Sequence, residues 1–197
     1  MGVRRLKPIT PGTRTRVANS FDEITTDKPE KSLLAPIKRT GGRNNTGKMT
    51  MRHIGGGHKR RYRIIDFKRN NSNVEGEVKT IEYDPNRTAF IALVEYTDGD
   101  KRYILAPAGL KVGQKVNQGS GSTPDTGNAM PMKEMPLGSL IHNIELQIGQ
   151  GGRLCRSAGT YAQLMAKEGK YVAVKLPSGE SRFVLGECLA TIGALSN

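Results

Sequence analysis

The chain has 197 residues, room for one medium domain or two small ones, with 31 Lys and Arg against 18 Asp and Glu, a net charge of +13. Two cysteines, Cys155 and Cys188, are too few for a disulfide framework or a four-thiolate metal site. No segment approaches the ~20 apolar residues of a membrane span and no apolar N-terminal run suggests a signal peptide, so a reducing, soluble compartment is expected.

The charge is unevenly placed. Residues 1–70 hold 18 Lys and Arg and 5 acids, while residues 71–197 hold 13 of each, so the whole net charge sits in the first part. Such a block is drawn to polyanions, because each neutralised phosphate releases condensed counterions. Residues 1–20 are Arg-containing and acid-free, as a transit peptide would be, but Pro8, Pro11 and Gly12 break any amphipathic helical period. Pro29 and Pro36 interrupt regular structure further along, and Thr40 to Lys48 (TGGRNNTGK) has no capacity to form a core. Residues 1–60 are therefore expected to be a basic N-terminal extension that orders on RNA.

From residue 61 short strands begin. Tyr62–Phe67, Glu77–Tyr83, Thr88–Tyr96, Lys101–Leu105 and Val112–Val116 are rich in β-branched and aromatic residues and separated by turn signals, among them Asp84 to Arg87 and Thr97 to Asp100. Five such strands over residues 61–117 suit an OB-like barrel. Residues 118–131 are assigned to a linker, part of a Gly/Ser/Thr/Asn/Pro stretch that starts at Asn117. In residues 132–197, Ser139–Ile148 is expected to be a strand. Tyr161–Lys167 fits strand and helix equally poorly, and Tyr171–Leu176 with Ser181–Leu185 forms a hairpin. Gly186–Leu189 is expected to make a single helical turn. A second small, SH3-like barrel fits this half, giving a mainly β fold of two barrels with an extended basic arm.

Candidate chemistry concentrates in three places. His53 to Arg63 (HIGGGHKRRYR) sets four basic residues within five positions after three glycines, whose exposed N–H groups let phosphate approach closely. Ile148 to Thr160 repeats the pattern around Arg153 and Arg156, and Arg87 projects from a turn. The second loop lacks the Gly-Lys-Ser/Thr of a phosphate-binding loop, which points to folded RNA rather than a nucleotide. His53 and His58 have no cysteine nearby and only basic neighbours, so they suit phosphate or base contacts better than metal. His142 reads as a packing residue. Cys155, flanked by Arg153 and Arg156, could have a lowered thiol pKa, yet no cysteine–histidine pair or carboxylate pair marks a catalytic site. The expected RNA-binding set is Arg43, Lys48, Arg52, His53, His58, Lys59, Arg60, Arg61, Arg63, Lys68, Arg69, Arg87, Arg153 and Arg156.

Several segments together carry a family resemblance: Gly41 to Gly47 (GGRNNTG), Gly55 to Arg63 (GGGHKRRYR), Glu82 to Arg87 (EYDPNR), Tyr103 to Pro107 (YILAP), Pro136 to Glu145 (PLGSLIHNIE) and Gly151 to Tyr161 (GGRLCRSAGTY). In this order, over nearly the whole chain, they resemble bacterial-type ribosomal protein two of the large subunit. The resemblance implies an OB-like then an SH3-like barrel, and an N-terminal extension threaded through large-subunit rRNA. It further implies a part in subunit joining and in organising RNA near the peptidyl transferase centre. The family's principal rRNA-binding arginines match Arg87 and Arg156. Implied partners are large-subunit rRNA, neighbouring ribosomal proteins and the small subunit. No enzyme activity, cofactor, metal, membrane or small-molecule substrate is implied. The implied location is the cytoplasm, in a ribosome of bacterial type, with an organellar source also open. Members usually carry a further Gly-rich basic tail with a His-Pro-His-Gly-Gly-Gly segment. These 197 residues contain no such segment, and no residue here inherits the role discussed for its histidine.

Overall fold

Short apolar runs broken by turn residues fold here as short antiparallel strands. The computed structural model describes residues 2–71 and 74–197. Its strands are β1 (Val3–Arg5), β2 (Val17–Asn19), β3 (Leu34–Pro36), β4 (Arg61–Arg63), β5 (Gly76–Glu82), β6 (Ile91–Tyr96) and β7 (Lys101–Leu105), then β8 (Lys115–Val116), β9 (Ala129–Pro131), β10 (Leu140–His142), β11 (Ala162–Glu168), β12 (Tyr171–Lys175), β13 (Ser181–Leu185) and β14 (Leu189–Ile192). A three-residue 3-10 turn, Lys31–Leu33, is the helical element among the described residues. The fold is mainly β, as expected.

The first sheet has the order β7-β6-β5-β8, antiparallel throughout. β6 is apolar along most of its length because both of its faces are covered. Ala92, Val94 and Tyr96 pack with Val78, Ile81, Phe90, Ile104 and Val116 on one side. Ile91 and Leu93 pack on the other with Ile65, Tyr103, Leu105 and Leu195, the last contributed by the far end of the chain. Each such fully buried aliphatic side chain contributes about 1.5–3 kcal/mol relative to an exposed one.

The second sheet has the order β13-β12-β11-β10-β14-β9. Its core gathers Met130, Met132, Met135, Ile141, Ile144, Leu164, Val172, Val174 and Ala190. Main-chain links tie the two sheets, among them Ala108 N–H to the Ala194 carbonyl (2.8 Å), Ser196 N–H to Ala106 (3.1 Å) and Gly152 N–H to Phe67 (2.9 Å).

Several expectations change. Residues 62–67 do not form the first strand of the barrel. β4 pairs with β3 outside the first sheet, and the segment meets that sheet at Ile65, through a bridge to Tyr103, and at Asp66, whose N–H donates to the Tyr103 carbonyl at 2.8 Å. The alternation there buries Ile65 but leaves Ile64 exposed, its N–H donating to the Leu33 carbonyl at 2.9 Å instead of to the first sheet. Residues 118–131, assigned to a linker, contain β9, which is paired with β14 and wholly buried. The polar turn residues before it hid the short apolar run Ala129–Met132. The strand expected over Ser139–Ile148 stops at His142, because Asn143 turns to φ 51° and breaks the ladder. Residues 161–167 are strand, and their poor alternation comes from a bulge between Leu164 and Ala166. Gly186–Leu189 is a turn that leads into β14, not a helical one.

In residues 2–60 the described backbone is mostly exposed, with short main-chain pairings such as β1–β2 that need no apolar alternation. Several contacts fasten this stretch to the first sheet. Thr25 N–H donates to the Ile81 carbonyl (2.9 Å), and Glu30 N–H donates to the Tyr103 hydroxyl (2.7 Å). Tyr103 in turn donates to the buried Glu82 carboxylate (2.8 Å), and burial pushes the Glu82 carboxyl above its usual range.

Candidate nucleic-acid interface

Three glycines followed by four basic residues need a loop that keeps its side chains outward. Gly55, Gly56 and Gly57 adopt φ of 139°, 67° and 78°, values that side chains with a Cβ rarely take. Arg39, which the sequence did not mark, holds the loop in shape. Its guanidinium donates to the carbonyls of Gly56 (2.6 Å), Gly57 (3.3 Å) and His58 (2.7 Å). The loop's carbonyls are thus satisfied from behind. Arg43, Lys48, Arg52, His53, His58, Lys59, Arg60 and Arg61 are all exposed, and Arg63 is half-buried. That is the distribution required for a surface that neutralises phosphates.

Arg87 and Arg156 meet at the joint between the two sheets. The Asp84–Arg87 turn is built on the Asp84 side chain, which accepts the Asn86 N–H at 2.9 Å, as Asp does at turn starts. The same carboxylate, fully buried, accepts Arg87 Nε at 2.6 Å. One guanidinium edge is thereby fixed. Its carbon sits 5.6 Å from the centre of the Phe67 ring and 5.7 Å from that of Tyr62. Arg156 reaches the same Phe67 ring from the loop between β10 and β11, at 4.7 Å. One aromatic ring therefore seats two cations from separate parts of the chain, within cation–π range.

The backbone makes this joint equally close. The Phe67 carbonyl accepts Gly152 N–H (2.9 Å) and the Asn143 amide (3.3 Å). A Cβ on Gly152 would lie 2.1 Å from the Asn143 amide oxygen, so only glycine allows the approach. Arg156 also donates to the Gly152 carbonyl at 3.3 Å.

Arg153 and Lys68 are exposed near this joint, but Arg69 is not. Arg69 is 3% exposed and donates to Gln118 Oε1 (2.9 Å) and to the Gly127 carbonyl (3.1 Å). Its guanidinium ties the two halves together from inside and does not face a phosphate, which corrects its place in the expected set. Phe67, Asp84 and Arg39 were missed. The Asp84–Arg87 spacing was a usable signal, whereas Phe67 and Arg39 act on partners distant in sequence.

Cys155 is half-buried, and burial pushes its thiol up to about 11. The neighbouring arginines do not lower it, which fits a packed thiol rather than an activated one. His142 is 1% exposed, and its ring Nδ1 donates to the Gly193 carbonyl at 2.7 Å. Burial pushes its pKa down to about 4, as befits a neutral packing residue. Among the described residues no group of three or more His, Cys, Asp or Glu side chains could hold a metal ion, and no helix is long and apolar enough to cross a membrane.

Comparison with known proteins agrees with this geometry. The family model "Ribosomal Proteins L2, RNA binding N-terminal domain" matches residues 30–118, and "Ribosomal Proteins L2, C-terminal domain" matches residues 125–197. The chain is 64% identical to the large ribosomal subunit protein uL2 of Flavobacterium psychrophilum, over 100% of its own length and 72% of the relative's. It is 60% identical to the uL2 of Cytophaga hutchinsonii, over 100% and 71%. It is also 60% identical to that of Parabacteroides distasonis, over 100% and 72%. With both family models matched in series and such identity along its whole length, the chain belongs to the uL2 family of large-subunit ribosomal proteins.

Proposed function

We propose that this protein is a structural constituent of the large ribosomal subunit that binds and organises large-subunit rRNA. In this reading it supports subunit association and the RNA architecture around the peptidyl transferase centre, in the cytoplasm of a bacterial cell. The observation that carries it is the joint at Phe67, where Arg87 and Arg156 are preset at one surface between two rigid sheets. Guanidiniums held in advance select one RNA shape, since less side-chain freedom is lost on contact. The exposed cations of residues 43–63 then add affinity through counterion release without adding choice. The half-buried thiol at about 11 argues against cysteine catalysis as the protein's task.

The test is charge reversal. Arg87→Glu and Arg156→Glu should each weaken binding to large-subunit rRNA and lower the salt dependence of binding. In sucrose gradients the unaltered protein should stay with large subunits through a high-salt wash. Unchanged affinity and salt slope in both variants would remove these arginines from the interface.

A further inference from the structure

Beside the Phe67 joint lies a groove that the arginine pair does not use. The β3–β4 ribbon aligns Leu34 with Arg63, Ala35 with Tyr62 and Pro36 with Arg61. Where the ribbon meets the Tyr83–Pro85 corner it encloses a depression of about 500 Å³. A second depression of about 550 Å³ adjoins it and shares Leu34, Lys59, Arg60 and Arg61. The volume is in the range of small-molecule sites, enough for one nucleotide.

We propose that the depression at Tyr83 is a slot for one unpaired RNA base. The base lies against Tyr83, and its flanking phosphates are held by Lys59, Arg61 and Arg63. The chemistry of the walls favours this occupant. Pro29, Leu34 and Pro85 supply apolar surface, His58 and four Lys or Arg side chains supply charge, and no Asp or Glu lines the slot. A nucleotide has the matching pair of properties, a flat base with apolar faces next to an anion. Unpaired bases in RNA are recognised by such stacking on aromatic side chains, with backbone cations alongside.

The slot is also built in advance. Tyr83 is 48% exposed and is steadied by Phe21, whose ring meets it edge-on at 5.7 Å. Phe21 rests in turn on Phe90, with ring centres 6.2 Å apart. Arg60 donates to the Pro85 carbonyl at 2.7 Å, and Asn86 donates to the Arg61 carbonyl at 2.8 Å. These bonds hold the cationic strand against the Tyr83 corner. Arg63 contributes a further sign. Its Nε is buried and has no protein acceptor, while its Nη1 is placed by the Arg61 carbonyl at 3.2 Å. A buried N–H without a partner is costly, and a phosphate or base oxygen reaching into the slot would relieve it.

This inference rests on the reading of the protein as an rRNA binder, and the test separates the two. The full chain is bound to large-subunit rRNA in filter assays over a range of salt, for Tyr83→Leu, Tyr83→Phe and Lys59→Gln. Loss of one stacked base predicts about a tenfold weaker affinity for Tyr83→Leu with an unchanged salt slope. Tyr83→Phe keeps the ring and should bind normally, and Lys59→Gln should lower the salt slope. Crosslinking with 4-thiouridine-substituted rRNA should attach RNA to the peptide containing Tyr83, and circular dichroism confirms that each variant is folded. If Tyr83→Leu binds normally while Arg87→Glu does not, the slot is wrong and the rRNA reading stands. If no form of the chain binds rRNA, both fall. If polyglutamate competes for the slot and Tyr83→Leu weakens only that competitor, the occupant is an acidic protein segment and the proposal is overturned.

Discussion

Replacing Phe67 by Leu removes the ring beneath Arg87 and Arg156 while keeping most of its apolar bulk. Two cation–π contacts are lost, at 5.6 Å and 4.7 Å, in a half-exposed setting. At about 0.5–1 kcal/mol each they amount to about 1–2 kcal/mol. Arg87 keeps its ion pair to Asp84 at 2.6 Å, so Arg156 should be the side chain that loosens. If the ring's main work is to preset Arg156, rRNA affinity should fall by roughly two- to five-fold. A double-mutant cycle with Arg156→Ala isolates the shared term. Urea unfolding and rRNA filter binding are measured for both single variants and for the double. The expected coupling is about 0.5–1 kcal/mol in both assays, since the ring no longer matters to a side chain that is gone. Additive effects, within about 0.3 kcal/mol, would refute the idea that Phe67 acts through Arg156.

Arg69→Met should lower stability by about 2–4 kcal/mol, because Gln118 and the Gly127 carbonyl lose a buried donor. Its rRNA affinity, measured where the variant is fully folded, should stay near normal, whereas Lys68→Met should show the opposite pattern. His142 gives a pH signature. Its folded pKa of about 4 lies below the unfolded value near 6.5, so the unfolded chain takes up the proton first as pH falls. Stability is complete above about pH 6.5 and declines by about 3 kcal/mol as pH drops toward 4. In His142→Asn, urea midpoints measured across that window should show a flatter slope than the unaltered protein, and an equal slope would exclude His142 as the source.

Composition and local pattern were enough to determine the class of fold and the kind of partner. Charge is additive along a chain, so the confinement of +13 to residues 1–70 needs no structure to read. Hairpins are equally local. Lys101–Leu105 and Ser181–Leu185 were legible to the residue because a turn signal directly precedes a short run rich in β-branched and aromatic residues. The exposed basic loop was legible for the same reason, as three glycines beside four basic residues can neither build a core nor hold a regular element.

Only the tertiary structure decided which residues have their charge available. Arg69 and Lys68 are neighbours in sequence and indistinguishable by composition, yet one is buried against Gln118 and the other faces solvent. Strands with long-range partners were lost for a related reason. β9 and β14 recognise each other across some sixty residues, and neither run is long enough to announce itself. The Phe67 joint shows the principle most directly. Arg87 and Arg156 are 69 positions apart, and what unites them is a ring whose neighbours are set by the packing of two sheets. Sequence supplied the cations, and packing alone arranged them, because distance along a chain says little about distance through a core.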